Sequence, residues 1–453
     1  MEVPVGQSVS ADRTGTLSPL PGHDGDRRAH CPDRHLGTAS WDHIRSLFTL
    51  RPGTVHLNTG TVGAVPHEVL DVHERVTREW TGSLRDIYPP TLYPEYRAAI
   101  AGDFGVDQDE MVICHNSTEG MARVIAGLDL GEGDEALTTT HECYSVLSNL
   151  NLVHNRTGLT VRTITLPSGP DVRAEDIVEL FAAAITPRTR VMFFAAVTLF
   201  TGTRMPVRAL CDLAQRHGIV TVMDGALLPG MLDADLRALG VDFMTGSGSK
   251  FQCGPLGTGL LYVRNKVIPE HNPLPLPPFW PVISTWYPML GPMPPRTTTR
   301  VETCNMGDYL QSAGSAGIAR AAALTRACQM WNAIGRGRIE RRIMELGDHA
   351  RDRLAERFGE RALHSPADPR LRSPLISFRP FRAPHDAWNP KKINLFVDRL
   401  EREHRIWIRW VEFDVPGSPH MHYAARVCTH LFNTREEIDH AVDVMGRLAD
   451  EMA

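Results

Sequence analysis

The amino-acid sequence predicts an α/β protein, with a large domain built on a mainly parallel seven-stranded sheet between helices and a smaller C-terminal α+β domain. Seven short apolar runs alternate with amphipathic segments between residues 111 and 263, the pattern of a parallel sheet covered on both faces. The chain has 453 residues, more than one hydrophobic core usually organises. Nine prolines within residues 273–295 follow this alternating pattern. So many prolines exclude a helix or a central strand there.

The predicted strands are the seven apolar runs, at residues 111–114, 136–140, 161–166, 191–197, 219–223, 243–245 and 259–263. Helices are predicted between them, at residues 119–128, 146–154, 174–185 and 207–217. Ser117 and Thr118 are N-cap residue types, and Gly218 is the residue type that helix C-termini favour. This order predicts right-handed crossovers and ligands at the carboxyl ends of the strands.

The segments that follow the proline-rich stretch predict the smaller domain. Helices are expected at residues 306–334, 338–357 and 434–452, and strands at residues 375–378, 406–411 and 425–428. The first 38 residues have little apolar periodicity, which is typical of a disordered or loosely packed arm. We therefore expect an arm at residues 1–38, a large domain at residues 39–285 whose first residues can pack on the small domain, and a small domain at residues 286–453.

Composition excludes several classes of protein. The formal net charge of -5 is small for this length and argues against a nucleic-acid partner or an anionic membrane surface. No apolar stretch approaches the roughly 20 residues that a membrane-spanning helix needs, and the N-terminal residues lack the apolar centre of a signal peptide. The eight cysteines form no C-x-x-C pair, which favours reduced thiols over a zinc site. We expect a cytoplasmic protein without a metal.

Two residues define the candidate site. Asp224 ends an apolar strand, and Lys250 follows a Gly/Ser-rich turn 26 residues later. An enzyme that uses pyridoxal 5'-phosphate (PLP) needs a lysine to bind the aldehyde of the cofactor, and an acidic residue to keep the pyridine nitrogen protonated so that the ring accepts electrons. Both residue types are present in the required order, so the sequence predicts a PLP site.

Further motifs occur in a fixed order along the chain. They are LNTG at residues 57–60, NSTEG at 116–120, DGA at 224–226, SGSK at 247–250, GPLGTG at 254–259 and RVCTHLFNT at 426–434. With this set the chain resembles the aminotransferase class V branch of the fold-type-I PLP enzymes, over roughly residues 41–450. Within that branch it is similar to the isopenicillin-N-epimerase-like and cysteine-desulfurase-like proteins.

The resemblance implies a role for each motif residue. Lys250 would hold the cofactor and move the Cα proton, while Asp224 would pair with the pyridine nitrogen. The phosphate would be held by residues from two motifs and, from a second subunit, by a residue near the proline-rich stretch: Ser117, Thr118, Ser247, Ser249 and Asn305. A contribution from a second subunit implies a homodimer with shared active sites.

The substrate side is predicted from the first and last motifs. Arg426 would bind the α-carboxylate of an amino-acid substrate, because a planar guanidinium grips a carboxylate through two bonds. Asn58 and Thr59 would edge the same pocket. The alternative for Arg426 is a structural ion pair.

Three positions depart from the family pattern. Leu227 stands where relatives have His or Gln, and Leu199 where they often have a polar residue, so Thr198 or Thr201 would have to compensate. The position that stacks on the cofactor ring falls on Cys143. Either Cys143 is a plain buried thiol and Tyr144 supplies the ring, or Cys143 itself faces the cofactor.

These departures and the proline-rich stretch favour specialised-metabolite biosynthesis. Our leading expectation is the processing of a cysteine S-conjugate, by C–S β-elimination or by decarboxylative oxidative deamination, as in the lincosamide-type branch of the family. The alternatives are an isopenicillin-N-epimerase-like epimerase or an aminotransferase, and a PLP-binding protein without catalysis. No catalytic cysteine on a mobile loop, as desulfurases have, is identified in the sequence.

Overall fold

The computed structural model describes residues 32–83, 92–264, 279, 282, 310–314 and 317–453. The N-terminal part holds a short 3-10 helix at Pro32–Thr38, then α1 (Trp41–Ser46), β1 (Val55–His56), α2 (His67–Ser83) and α3 (Leu92–Ala101). Of these elements, the sequence predicted none. Among the described residues, no helix is long and apolar enough to cross a membrane.

The seven predicted strands form one sheet. They are β2 (Met111–Cys114), β3 (Glu135–Thr139), β4 (Thr160–Ile164), β5 (Thr189–Ala195), β6 (Val220–Gly225), β7 (Phe243–Ser247) and β8 (Gly259–Val263). Their order across the sheet is β2-β8-β7-β6-β5-β3-β4. Strand β8 is antiparallel to both neighbours, and the pairs from β7 to β4 are parallel. The predicted fold class is therefore confirmed.

The helices between these strands are α4 (Ser117–Gly127), α5 (Tyr144–Thr157), α6 (Ala174–Ala184), α7 (Val207–Arg216) and α8 (Leu236–Leu239). The predicted cap of α4 was wrong by one or two residues. Asn116 is the N-cap, because its side chain accepts the Glu119 N–H at 2.8 Å. Ser117 and Thr118 are therefore the first helical residues, with backbone N–H groups that no earlier helical carbonyl can accept.

Apolar side chains bury both faces of the sheet. Along β5, Val191 and Phe193 pack into one core cluster, whereas Met192 and Phe194 pack into another. This alternation follows from the two-residue period of a strand. Because both faces are covered, a ligand can reach the sheet only at its edges and at the strand ends.

The C-terminal part contains helices and a second, smaller sheet. Its elements are α9 (Ile318–Ile334), α10 (Arg336–Phe358), β9 (Leu375–Phe378), α11 (Pro390–His404), β10 (Ile406–Trp407), β11 (Arg409–Phe413), β12 (His422–Cys428) and α12 (Arg435–Glu451). Strands β11, β12 and β9 make an antiparallel sheet in that order. Strand β10 pairs in parallel with β1, so early and late parts of the chain meet.

Two predicted elements were wrong in extent. A helix was expected from residue 306, but α9 begins at Ile318, after Gly314 at φ +94° and a break at residues 312–314. The strand expected at residues 406–411 is two strands, one paired with β1 and the other with β12. Most of the proline-rich stretch and the boundary at residue 285 lie outside the described residues, and the domain limits stay predictions.

Candidate active site

A small cavity lies where β5, β6 and β7 end. Its lining residues are Cys143, Ala195, Val197, Leu199, Asp224, Ala226, Leu227 and Lys250. The enclosed space is about 10 Å³, room for about one water molecule. A much larger cavity of about 970 Å³ lies elsewhere, beside α6 and α7, and none of the predicted site residues that the structure describes lines it. The site is therefore identified by the residue types that line the small cavity. Cavity volume alone would not identify it.

Asp224 is the acidic group of the cavity. It lies in β6 opposite Ala195 of β5 and Thr245 of β7 and is 6% exposed. Its Oδ1 accepts the Ala226 N–H at 2.9 Å. Burial raises the pKa of the carboxyl, and the positive charge of Lys250 opposes that rise. A buried carboxylate with one backbone donor is incompletely compensated, and a cationic ligand group would stabilise it.

Lys250 lies in the turn after β7 and is half-buried. Burial lowers the pKa of its amine, while Asp224 and Cys143 raise it. The turn is held from two remote segments: Gly63 donates its N–H to the Ser249 carbonyl at 2.9 Å, and His430 Nε2 hydrogen-bonds the Phe251 carbonyl at 2.9 Å. The approach of Gly63 is so close that an added Cβ would lie 2.1 Å from the Lys250 carbonyl oxygen.

The predicted phosphate-binding residues converge at one end of the sheet. Ser247 of β7 is paired with Gly259 of β8, and Gly259 packs so tightly on Asn116 that a Cβ there would lie 2.5 Å from the Asn116 carbonyl carbon. The Ser247 and Ser249 hydroxyls are 3.4 Å apart. The positive end of the eleven-residue helix α4 therefore lies beside two hydroxyls, an arrangement that suits a phosphate.

Arg426 lies on β12 and is fully buried. Its Nη1 donates to the Leu199 carbonyl at 2.7 Å and its Nη2 to Asn58 Oδ1 at 3.3 Å, while its Nε has no hydrogen-bond partner. Burial lowers the pKa of the guanidinium to about 10. Within the described part of the chain Arg426 forms no ion pair, so the alternative of a structural ion pair finds no carboxylate there. Thr59 is also buried, with its hydroxyl unpaired.

Three residues that the sequence offered for contact with the cofactor ring, Tyr144, Thr198 and Thr201, do not line the cavity. Tyr144 is 54% exposed; its hydroxyl donates to Glu412 Oε1 at 2.5 Å and its ring packs edge-on against Phe200. The hydroxyls of Thr198 and Thr201 are 2.8 Å apart and bond within their own turn. Neither threonine therefore compensates for the apolar Leu199 and Leu227. Asn305 lies outside the described residues.

Two charged residues near the cavity were missed by the sequence reasoning. Glu142 is fully buried, and burial together with the nearby Asp224 raises the pKa of its carboxyl to about 8. Its Oε1 accepts from Thr139 and from the Ala195 N–H, and its Oε2 has no partner. Arg409 lies on β11 directly opposite Arg426. The one sequence signal for Glu142 is its place between His141 and Cys143, just after an apolar strand.

Comparison with known proteins gives the same assignment over most of the chain. The aminotransferase class-V family model matches residues 53–399. Isopenicillin N epimerase of Streptomyces clavuligerus is 31% identical over 425 residues, covering 92% of this chain and all of that protein. The Amycolatopsis lactamdurans epimerase is 30% identical, covering 90% and 99%. A mutant of the cystine C–S lyase C-DES, with glycine covalently linked to its PLP cofactor, has a TM-score of 0.70 and 22% identity, covering 90% and 99%.

The residues present fit PLP. Asp224 offers a buried carboxylate for a pyridinium, Lys250 offers an amine in the same cavity, and the start of α4 offers N–H groups for a phosphate. Among the described residues, no cluster of metal-ligating side chains competes with this assignment. The chain belongs to the aminotransferase class-V family and is a PLP-dependent enzyme.

Proposed function

We propose that this enzyme inverts the configuration at the Cα of an amino-acid or peptide substrate. Two full-length relatives at 30% and 31% identity are isopenicillin N epimerases, which supports inversion over the other reactions of the family. The observation on which the proposal depends is the common cavity of Lys250 and Cys143. Inversion requires a proton to leave one face of Cα and another to reach the opposite face, which a pair of proton carriers can do.

Lys250 is the proposed base. Burial lowers the pKa of its amine, which favours the neutral form that a base needs in order to accept the Cα proton. Cys143 is the proposed second proton carrier. It is half-buried and free, and it borders the cavity where relatives place a stacking ring. PLP, when bound, supplies an electron sink for the pair that the departing Cα proton leaves behind.

Arg426 and Asn58 are proposed to hold the substrate. The buried guanidinium binds the α-carboxylate, and its bonds to the Leu199 carbonyl and to Asn58 fix the direction of its fork. A fixed carboxylate orients the Cα–H bond toward the proton carriers. Asp224 is proposed to keep the pyridine nitrogen protonated, and the Ser117–Thr118 and Ser247–Ser249 groups to bind the phosphate.

The processing of a cysteine S-conjugate is the second candidate. It would use the same lysine and arginine. Its β-elimination needs a leaving group on Cβ, and its decarboxylative oxidative deamination needs molecular oxygen as the oxidant. We also propose a homodimer with shared active sites, which the molar mass in solution from light scattering tests: a monomeric mass for the active enzyme excludes it. Placement in the cytoplasm remains a prediction.

Product analysis in deuterium oxide tests the function. The purified enzyme is loaded with PLP and incubated with single enantiomers of amino acids, dipeptides and cysteine S-conjugates. Chiral chromatography with mass spectrometry should find the opposite enantiomer with one deuterium at Cα. Release of pyruvate and ammonia, or of carbon dioxide and an aldehyde, without inversion would support the S-conjugate reaction and reject the epimerase.

A substitution of Cys143 tests its proposed role as a proton carrier. In Cys143→Ala, Lys250 still exchanges the Cα proton of one enantiomer, while inversion falls by about 100-fold or more, the usual contribution of one acid–base group. Cys143→Ser serves as the near-isosteric control for packing. Undiminished inversion in the alanine variant would remove Cys143 from the mechanism.

A further inference from the structure

We propose that the site has a second anion-binding position, at Arg409, and that the substrates of this enzyme carry an acidic group on the side chain in addition to the α-carboxylate. This inference rests on the proposed function, because it uses Arg426 as the position of the α-carboxylate. It adds a substrate class, the diacidic amino acids, and a residue that selects it.

The first observation is the pairing of two arginines. Arg409 of β11 and Arg426 of β12 are directly opposite in the antiparallel pair. Residues directly opposite lie on the same face of a sheet, with Cβ atoms about 5 Å apart, and like charges in this arrangement are destabilising. Two cations are therefore held next to each other against their repulsion, which an anion between or beside them would relieve.

The described residues supply no such anion, which is the second observation. Among the residues that the structure describes, neither Arg409 nor Arg426 forms an ion pair. Other exposed strand arginines do find one: Arg162 lies 3.2 Å from Glu135, and Arg190 lies 3.2 Å from Asp134. Glu412, the acidic residue of β11, is instead engaged by the Tyr144 hydroxyl at 2.5 Å.

The third observation is a chain of hydrogen bonds that connects the two guanidinium groups. Arg409 Nη1 donates to Thr61 Oγ1 at 3.4 Å, Thr61 Oγ1 donates to Asn58 Oδ1 at 2.8 Å, and Arg426 Nη2 donates to the same oxygen at 3.3 Å. Asn58 and Thr61 thus form a continuous polar rim from the buried arginine to the exposed one.

The positions of the two arginines also suit a substrate that reacts at Lys250. The positive charges of both arginines lower the pKa of the Lys250 amine. Arg426 is fully buried and Arg409 is exposed, which places the second cation on the solvent side of the first. A substrate with its α-carboxylate at Arg426 would extend its side chain outward, past Asn58 and Thr61, toward Arg409.

The expected ligand is an amino acid with a side-chain carboxylate. A guanidinium fork matches the two oxygens of a carboxylate, and a charge-assisted pair is stronger than a bond to a neutral amide. Aspartate against asparagine, and glutamate against glutamine, are pairs of nearly equal shape that differ in this charge. The enzyme should therefore bind the acid of each pair more tightly than the amide.

The experiment measures dissociation constants of these four amino acids for the PLP-loaded enzyme, by calorimetry and by the absorbance change of the bound cofactor. The wild type should prefer the better-fitting acid over its amide by about tenfold or more. Arg409→Gln should abolish that preference, and Arg409→Lys should keep part of it as a point charge. Arg402→Gln is the matched control, because Arg402 is an exposed arginine of α11 paired with Asp398, and it should keep the full preference.

Three results would overturn the inference. They are equal binding of acid and amide by the wild type, a preference that survives in Arg409→Gln, and a loss in the Arg402→Gln control as large as in Arg409→Gln. The proposed function is judged separately, by the assay in deuterium oxide. If the acid is not preferred over the amide, only the second anion position fails; if the assay finds no inversion of any substrate, the proposed function fails as well.

Discussion

The two ends of the site contain buried charges of opposite sign that reach their positions by different routes. Asp224 comes from a strand of the large sheet, and Lys250 follows from the neighbouring strand end. Arg426 comes from β12, in a sheet formed by the last third of the chain. Burial raises the pKa of the Asp224 carboxyl and lowers that of the Arg426 guanidinium to about 10. Each environment therefore disfavours the charge it holds.

The two ends differ in the groups that offset the free-energy cost of burying a charge. Asp224 has a cation within the chain, the Lys250 amine. Arg426 has neutral carbonyl and amide oxygens. Uncompensated buried charges cost several kcal/mol, so a ligand that supplies the missing counter-charge gains most at the arginine end. The comparison indicates that the Asp224 end is organised for a resident cofactor and the Arg426 end for an exchanging anion.

Removing Lys250 should have the largest effect. In Lys250→Ala the base is lost, so the initial rate of product formation should fall by about 10⁴-fold or more. The substrate carboxylate still has Arg426, and amino-acid titrations should still change the cofactor absorbance. A variant that retains more than a few per cent of wild-type turnover would contradict the role of Lys250.

Neutralising Asp224 should weaken the cofactor end alone. Truncating one partner of a buried charge pair costs about 2–5 kcal/mol, so in Asp224→Ala and Asp224→Asn the dissociation constant of PLP should rise by roughly 30-fold or more. Equilibrium dialysis of the loaded protein measures this. Normal retention of PLP together with normal turnover would remove Asp224 as the partner of the ring nitrogen.

Neutralising Arg426 should weaken the substrate end alone. Bonds to charged groups contribute about 1.5–3 kcal/mol, so Arg426→Gln should raise KM by roughly 10- to 100-fold with a smaller change in kcat. PLP affinity should stay close to that of the wild type. Unchanged steady-state kinetics would leave Arg426 with a purely structural role.

The pH dependence of protein stability tests the protonation state of Glu142, a buried carboxyl near Asp224. Burial and Asp224 raise its folded-state pKa to about 8 from an ordinary value of 4.5. Between these values the folded protein binds more protons than the unfolded chain, so this contribution to stability is full below 4.5 and is lost as the pH rises through 8. The slope is about 1.4 kcal/mol per pH unit at most.

In Glu142→Gln, which cannot ionise, this part of the pH dependence should disappear. Denaturant unfolding of the cofactor-free protein from about pH 5 to about pH 9 compares the two slopes. The difference between wild type and variant cancels the groups that are common to both and reports Glu142 together with its coupling to Asp224. Parallel profiles would mean that Glu142 is ionised throughout.

The sequence predicted the Asp224 end better than the arginine end, for a physical reason. Asp224 and Lys250 follow apolar runs that mark strands, and parallel strand ends meet at one edge of a sheet. Arg409 and Arg426 face each other only because a predicted single strand divides at Ile408, with β10 pairing to β1 across some 350 residues. A two-residue strand has no local periodicity, so this division could not be read from residues 406–411.

The same limit applies to Glu142 and Tyr144. Their residue types were visible in the sequence, but their partners, Ala195 and Glu412, lie 53 and 268 residues away and are brought close by packing. Patterns of residue types identified the strand ends where the cavity lies. Which side chains turn into the cavity and which satisfy one another depends on long-range contacts.

The turn that carries Lys250 has a consequence for the order in which the enzyme matures. Its backbone is held on one side by Gly63 and on the other by His430. During synthesis on the ribosome, the lysine emerges about 180 residues before that histidine. Capture of vitamin B6 in its final geometry should therefore follow the synthesis of His430, and nascent chains stalled before that residue should remain colourless.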